Sequence, residues 1–296
     1  MKGTFVFAVL VLATAAAQGQ PAPAAPAAPA ASEPAASPFT ANISVTTKYK
    51  FRGQDQGNTD WASPAVQGGF DWSQNGWYLG NWNSNVSFSN AAIEMDFYGG
   101  YKGEIAKDFG YDVGILQYYY PQKDRVINFD TTEIYGALTW QWLSLKYSHT
   151  VSSDYFGIGE AQQQSALNND GVRIGRPKGR NTGYLDLSAN YPIVDKWTLN
   201  AHVGYTRYSS DLRNASDTTT VGCVAPSAAG RSHALGTTVC TTTDLGVPNF
   251  YDYKIGVTYD IGSGFTAAAA YVGANKKNFY GDINKARAIF TISKTL

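Results

Sequence analysis

The segment FTANISVTTKYKFR, residues 39–52, alternates between apolar and polar side chains at almost every position. One parity carries Phe39, Ala41, Ile43, Val45, Tyr49 and Phe51, and the other carries Thr40, Asn42, Ser44, Thr46, Lys48, Lys50 and Arg52. Successive side chains of a β-strand point to opposite faces, so this pattern predicts a strand with one apolar and one polar face. Such strands, repeated along a chain, favour a closed sheet between lipid and water.

Similar alternating segments recur to the end of the chain. They lie near 39–52, 63–72, 77–88, 92–102, 110–120, 131–140, 142–151, 183–191, 196–208, 250–261, 265–273 and 284–296. An even number of strands lets both ends of the sheet lie on one side of a membrane, as in bacterial outer-membrane barrels. The sequence therefore predicts an all-β fold, a transmembrane antiparallel up-and-down β-barrel of about twelve strands.

The connections between these segments alternate in length. Short connections follow even-numbered strands, at 73–76, 140–142, 192–195 and 262–264. The two longest connections, 152–182 and 209–249, follow odd-numbered strands. This alternation predicts short periplasmic turns and long extracellular loops, which a soluble sandwich does not require.

Tryptophans concentrate near the short connections. Five of them, Trp72, Trp77, Trp140, Trp142 and Trp197, lie within a few residues of the predicted periplasmic turns. Amphipathic rings settle at membrane interfaces, so these residues are predicted to form an aromatic girdle. The alternative is that they are core aromatics of a sandwich.

The N-terminal residues have the layout of a secretory signal peptide. Lys2 precedes an apolar run at 5–13 and a small-residue site at 15–17. A single membrane anchor is the alternative, but the run is shorter than the roughly 20 residues that span a bilayer. We predict a signal peptide at 1–17, a disordered Pro/Ala-rich linker at 18–38 and the barrel at 39–296.

Charge excludes some partners. The 23 basic and 23 acidic residues cancel to a formal net charge of zero. Nucleic-acid-binding domains favour a basic surface, so we expect no nucleic-acid partner. The sequence implies no cofactor and no metal.

Charged residues of the polar parity would line the lumen. Basic side chains fall on strands one and twelve, which are neighbours in a closed barrel, and acidic ones fall on strands four and six. The basic group is Lys48, Lys50, Arg52 and Arg287, and the acidic group is Glu94, Asp96 and Glu133. Opposed walls of this kind would create a transverse field that filters ions and orients polar solutes. Alternatively, the charges pair across a narrow interior and plug it.

Barrel size and inward tyrosines refine the expected pore. Eight strands leave an interior filled by side chains, whereas 16 to 18 leave an open channel, so twelve predict a narrow pore. Tyr98, Tyr118 and Tyr120 share the inward parity. They either form a stacking track for ring-bearing solutes or only fill space.

Cys223 and Cys240 are the only cysteines, and both lie in the long loop before strand ten. In an exported chain they predict a disulfide. Metal binding with His233 is the alternative, although this spacing matches no standard zinc pattern.

A histidine that acts as the base of a hydrolase must lie within hydrogen-bond reach of its nucleophile, and the chain contains three histidines. His149 takes the apolar parity with no serine or acid on its face, and His202 takes the inward parity. The sequence contains no G-x-S-x-G segment. These patterns do not favour an enzyme.

Several motifs resemble the bacterial Gcw_chp family, also described as TorF-type outer-membrane porins. They are GWYLGNWNSNV (76–86), EMDFYGGY (94–101), GYDVGILQYYYP (110–121), YLDLSANYP (184–192) and KWTLNAHVGYT (196–206). The resemblance implies an outer-membrane barrel but no particular solute. The chain departs from the family's compact pattern at its Pro/Ala segment and long loops. Its last strand, ending at Leu296, resembles the terminal hydrophobic strand that the barrel insertion machinery reads, although that residue is usually Phe.

These patterns predict a porin of the bacterial outer membrane that passively passes ions or small hydrophilic solutes. The expected partners are outer-membrane lipid, the insertion machinery and those solutes. One alternative is a non-conducting structural or adhesive barrel with functional surface loops, for which the Thr-rich 209–249 loop is a candidate. An outer-membrane hydrolase is the other alternative.

Overall fold

The computed structural model describes residues 37–57, 63–88, 91–121, 127–168, 175–219 and 241–296. Its main element is a barrel of twelve strands. In chain order these are β1 (Phe39–Thr46), β2 (Ala65–Gln74), β3 (Trp77–Phe88), β4 (Ala91–Ala106), β5 (Phe109–Tyr119), β6 (Thr131–Trp140), β7 (Leu143–Thr150), β8 (Gly183–Val194), β9 (Trp197–Arg207), β10 (Phe250–Gly262), β11 (Phe265–Ala274) and β12 (Arg287–Thr295).

Each strand pairs antiparallel with its neighbours in the sequence, and the first and last strands close the ring. Thr46 of β1 lies opposite Ala65 of β2 on one side and opposite Thr291 of β12 on the other. Closure gives every strand two partners, so the sheet has no exposed edge. The predicted antiparallel barrel is confirmed.

Smaller elements lie in the connections at the end of the barrel opposite the tight turns. Two short strand pairs occur there, Lys50–Phe51 with Gln54–Asp55 and Ser216–Thr219 with Thr241–Asp244. The helices are α1 (Ile158–Asn168), α2 (Ser210–Arg213) and α3 (Lys277–Tyr280), and a 3₁₀ turn spans Gly281–Asn284. Among the described residues, no helix combines the length and the apolar character needed to cross a membrane.

The opposite end of the barrel consists of tight turns. Residue pairs 75–76, 107–108, 141–142, 195–196 and 263–264 join successive strands there. Asn75 and Gly76 have φ values of 52° and 85°. Two central residues with positive φ match the right-handed twist of a hairpin, which explains why Asn-Gly occupies this turn.

The outer surface of the wall is apolar. Large hydrophobic side chains on every strand are exposed, such as Phe70, which is 68% exposed, and Ile134, which is 47% exposed. Others include Ile43, Val45, Leu79, Phe97, Ile115, Leu138, Leu145, Leu187, Val203, Ile255, Phe290 and Ile292. A continuous exposed apolar band is typical of a surface that contacts lipid.

Aromatic residues border this band at the turn end. Trp77 packs against Tyr101 with ring centroids 5.0 Å apart, and Trp197 packs against Tyr259 at 4.9 Å. Phe109 with Trp140 and Trp142 with Tyr191 form similar outward pairs. These tryptophans are exposed and do not fill the interior, which is the arrangement the sequence predicts for a girdle.

The interior is polar and filled. Side chains of the inward parity are buried, including Ser84, Glu94, Glu133, His202 and Asp252. A cluster of buried hydrophobic residues, largely aromatic, among them Trp82 and Tyr118, lies between these polar groups. The barrel therefore has a polar interior whose free space depends on what the connecting segments place inside it.

Candidate functional site

The connection between β1 and β2 folds into the barrel. Strand β1 ends at Thr46, and residues 48–56 form a small hairpin, here called the inner hairpin. Arg52 and Gly53 at its tip have φ values of 48° and 74°. Glycine at the tip permits both the backbone conformation and a close approach to the wall. A Cβ on Gly53 would lie 2.6 Å from the Asp252 Cβ and 2.7 Å from the Gly273 carbonyl oxygen.

The inner hairpin corrects the predicted extent of the first strand. Residues 47–52 were expected to continue β1 up the wall, with Lys48, Lys50 and Arg52 facing the lumen from it. They lie beyond the end of β1, inside the barrel. The alternation of residues 39–52 does not distinguish the two arrangements, because a hairpin strand has the same period of two as a wall strand.

Three basic side chains surround one carboxylate in the inner hairpin. The Asp55 carboxylate lies 2.8 Å from Lys50 Nζ, 3.4 Å from Lys48 Nζ and 3.7 Å from Arg287 Nε. Lys50 also donates hydrogen bonds to the carbonyl oxygens of Gly53 and Ile283. The predicted basic group is thus assembled, except for Arg52, around a carboxylate that sequence reasoning missed.

Arg52 connects the hairpin to the opposite wall. It donates from Nη1 and Nη2 to the two oxygens of Glu133, at 3.0 and 2.8 Å, and from Nη1 to the Tyr155 hydroxyl at 2.8 Å. Its guanidinium also lies 4.1 Å from the ring centroid of Tyr184. Glu133 is on β6, five strands from β1 around the ring of twelve, on the far side of the barrel. Bidentate geometry makes this a strong charge-assisted contact.

The other two predicted acidic residues, Glu94 and Asp96, are buried in the interior of the barrel. Glu94 accepts hydrogen bonds from the hydroxyls of Tyr49 and Tyr120, at 2.8 and 2.9 Å. Asp96 is fully buried. Of the tyrosines predicted to face inward, Tyr118 and Tyr120 are buried, and half-buried Tyr98 donates to Asp71 at 2.5 Å. Tyr49, expected on the apolar face, instead lies inside as a partner of Glu94.

Two titratable groups of the connections are perturbed. Burial lowers the pKa of Lys50 from 10.5 to about 8, an effect that its contact with Asp55 opposes. Burial also raises the pKa of the Tyr155 hydroxyl, so this group is a protonated hydrogen-bond donor at neutral pH.

A second polar cluster lies on β8, β9 and β10. His202 is buried, with Nδ1 2.9 Å from Asp186 and Nε2 2.8 Å from Asp252. Ser188 Oγ lies 3.2 Å from Nδ1 but donates to Asp186 at 2.6 Å. Both imidazole nitrogens face carboxylates, which accept hydrogen bonds but do not donate them. The ring is therefore positioned as a cation that carries a proton on each nitrogen. A histidine held in this way has no lone pair with which to act as a base for Ser188.

The remaining candidates do not join either cluster. His149 contacts the Tyr147 hydroxyl at 3.3 Å on the outer face. Cys223, His233 and Cys240 lie outside the described residues, as do the predicted signal peptide and nearly all of the linker. Within the described part of the chain, no group of three or more His, Cys, Asp or Glu side chains is arranged to hold a metal ion.

Comparison with known protein families assigns the chain. Residues 30–238 match the family described as "Bacterial protein of unknown function (Gcw_chp)". The chain belongs to the Gcw_chp family. The match covers the barrel from β1 through β9, including the inner hairpin. No curated protein matches this Gcw_chp chain.

Solved structures resemble the Gcw_chp barrel in fold. The KdgM porin is 7% identical, with a TM-score of 0.45 over 86% of this chain and 97% of that one. The NanC porin is 10% identical, with a TM-score of 0.47 over 87% and 98%. OprD from Pseudomonas aeruginosa is 11% identical, with a TM-score of 0.35 over 80% and 61%.

Sequence reasoning missed several residues of the Gcw_chp site. Asp55, Tyr155 and Asp252 contact predicted residues but were not themselves singled out. Asp55 lies two residues after Gly53. A glycine after an alternating run is a turn signal that could have located a hairpin there. Tyr155 lies in a long connection, where no periodicity indicates position.

Proposed function

We propose that this protein is a passive channel of the bacterial outer membrane for ions and small hydrophilic solutes. The observation that carries the proposal is the inner hairpin, a charged segment placed inside a closed barrel with an apolar exterior and a polar interior. An apolar exterior suits lipid and a polar interior suits water. A hairpin in the lumen narrows the path for solutes and leaves the strand wall of the barrel in place.

The same features support the bacterial outer membrane as the compartment. Closed barrels satisfy every backbone hydrogen bond within lipid, and bacterial examples have short periplasmic turns and longer extracellular loops. The tight turns at one end and the long connections at the other match that orientation. The predicted signal peptide supports export, and the long loops would then face the cell exterior.

Selectivity is proposed to arise at the inner hairpin. Lys48, Lys50 and Arg287 contact Asp55 within salt-bridge distance, and Arg52 contacts Glu133. The formal charge of this group is positive, and a low-dielectric interior strengthens its field. Solutes that pass the hairpin would therefore be preferentially anionic. Glu94 and Asp96 are buried as well, and Glu94 accepts hydrogen bonds from Tyr49 and Tyr120.

Planar-bilayer recording of the refolded mature chain tests the proposal. We expect discrete steps of small conductance and a reversal potential that favours anions. Reversing one charge, as in Lys50→Glu, should shift the reversal potential toward cations. The exposed Lys178→Glu change is the matched control and should leave it unaltered. Correctly inserted barrels that remain silent under all conditions would contradict the channel.

A second candidate is a non-conducting barrel whose surface loops bind a partner. The observation that favours it is the burial of Lys48 and Lys50, whose side chains are 0% exposed. Charges that are fully paired inside can close a lumen instead of lining a path. In that case neither the wild-type chain nor Lys50→Glu would conduct, and removal of the long loops would abolish partner binding.

A further inference from the structure

A cavity of about 520 Å³ lies between the inner hairpin and the long connections. It is here called the vestibule. Its size falls in the range that holds small-molecule ligands, roughly 300–1,000 Å³. Its lining includes Phe51, Arg52, Tyr155, Phe156, Tyr208 and Phe250.

Aromatic rings in mutual contact dominate the walls. Phe51 lies 5.3 Å from Phe156, which lies 4.8 Å from Tyr155. The ring of Tyr208 lies 5.6 Å from that of Tyr155 and 6.1 Å from that of Phe250. The ring of Phe250 lies 5.4 Å from that of Tyr280. Edge-to-face rings at these distances present both apolar faces and positive ring edges to an aromatic guest. The walls thus suit a planar ring.

The floor of the vestibule is charged and offers a donor. Arg52 and Asp55 line it, and the buried Nε of Arg52 has no hydrogen-bond acceptor among the described residues. Tyr155 accepts a hydrogen bond from Arg52, so its own proton remains a donor. These two unused donors, one of them on a cation, lie beneath aromatic walls and complement a ring that carries an anionic acceptor.

We propose that the vestibule binds aromatic carboxylates, with the ring against Phe156, Tyr208 and Phe250 and the carboxylate toward Tyr155 and Arg52. The role of this site in transport rests on the proposed channel, because the bound solute would be captured at the outer end before it passes through the barrel. Binding itself requires only the folded barrel and can be measured without conduction.

One lining residue points to a competing ligand. Gln162, which also lines the vestibule, donates its amide to the backbone oxygen of Leu212 at 3.2 Å, and its buried Oε1 accepts no hydrogen bond from the described residues. An unpartnered acceptor suits a hydroxyl donor more than a carboxylate. A neutral aromatic alcohol is therefore the probe that separates the two possibilities.

Titration calorimetry with the full chain in detergent tests the site. We expect saturable binding of benzoate, and at least about tenfold weaker binding of benzyl alcohol, which lacks the charge, and of acetate, which lacks the ring. Tyr155→Phe keeps the ring and should weaken benzoate about tenfold while leaving benzyl alcohol unchanged. Tyr271→Phe, on the outer face, is the control and should have no effect.

Three results would overturn the assignment: no saturable benzoate binding, benzyl alcohol binding as tightly as benzoate, or equal binding of benzoate to wild type and Tyr155→Phe in a folded barrel. The proposed channel can be refuted independently of the proposed binding site. A chain that conducts but does not bind benzoate refutes the vestibule site alone, and a chain that binds benzoate but never conducts refutes the channel alone.

Discussion

Arg52 at the tip of the inner hairpin forms a bidentate contact with Glu133 on the opposite wall, with nitrogen–oxygen distances of 3.0 and 2.8 Å. The side chains of Lys50 and Asp55 also fix the hairpin, and the Ser87 amide donates to the Gln56 carbonyl oxygen. A segment held largely by side chains can be displaced by single substitutions. The barrel wall, held by its backbone ladder, remains intact.

Replacing Glu133 by Gln should release the hairpin tip. Removing one partner of a buried ion pair leaves the other charge uncompensated and costs about 3–5 kcal/mol. We expect a corresponding fall in the free energy of unfolding in urea and a larger single-channel conductance. Glu104→Gln, an exposed carboxylate at the turn end, is the control. The reciprocal change Arg52→Glu with Glu133→Arg should restore part of both quantities, and an unchanged conductance in Glu133→Gln would contradict the contact's role.

Gly53→Ala tests the position of the hairpin without altering any charge. The added Cβ would lie within 3 Å of Asp252, Gly273 and Ala274, and the φ of 74° disfavours any side chain. We expect the hairpin to move from the wall, which proteolysis of residues 48–56 in the folded barrel would detect. Gly136→Ala, where an added Cβ meets nothing within 4 Å, should leave the cleavage pattern of wild type. Protection equal to wild type in Gly53→Ala argues against the close packing.

Anion preference should fall between pH 7 and pH 9. Lys50 has a pKa of about 8, so it is charged below this value and neutral above it. The groups that face it are Asp55, the carbonyl oxygens of Gly53 and Ile283, and the charged Lys48 and Arg287. Loss of its proton removes one positive charge from the cluster. Reversal potentials across this range should change in wild type and stay flat in Lys50→Met, with Lys178→Met behaving as wild type.

His202→Asn should destabilise the barrel, and neither the wild-type chain nor the variant should hydrolyse esters. The change removes the cation between half-buried Asp186 and buried Asp252 and leaves their carboxylates uncompensated, at a cost of up to about 3 kcal/mol. Urea unfolding at neutral pH measures this cost, and Ser188→Ala is the milder comparison. Hydrolysis of an ester substrate should be absent in all three chains. An esterase activity that Ser188→Ala abolishes would establish the hydrolase instead.

A charged side chain on the outer face should weaken folding into a bilayer more strongly the deeper it lies in the membrane. Ile134 lies within β6 and is 47% exposed on the apolar band. Arg at a mid-membrane position costs about 2–4 kcal/mol, compared with 0–1 near the interface. Ile134→Arg should therefore fold poorly into bilayers, and Val194→Arg, next to a tight turn, should fold nearly as well as wild type. Similar folding of the two variants would argue against a lipid-facing band.

The wall of the barrel could be predicted because its strands repeat one local rule. Residues such as Phe97 and Glu133 follow the parity of their strands, and a period of two assigns their faces directly. Turn residues such as Asn75-Gly76 mark where the strands reverse. Each of these signals is contained in a few consecutive residues.

The interior could not be predicted in the same way. Lys48 to Arg52 continue the alternation of β1, yet they form a hairpin inside the lumen. The turn at Gly53 is a local signal, but the position of the hairpin depends on contacts of Arg52 with Glu133 and Tyr155, which are distant in sequence. Tyr49 shows the same limit, because its parity predicts a lipid-facing side chain whereas its hydroxyl donates to Glu94. Alternation alone therefore does not show whether these residues face lipid or lie inside the barrel.

The most direct test of the account replaces the inner hairpin, residues 48–56, by a Gly/Ser segment of equal length and compares single-channel conductance with the wild-type chain. A Gly/Ser replacement of residues 277–282, at the outer end, is the matched control. If the hairpin constricts the lumen, its replacement should raise the conductance several-fold and remove the anion preference, and the control should do neither. Conductance and preference equal to wild type in the hairpin variant would contradict the central claim.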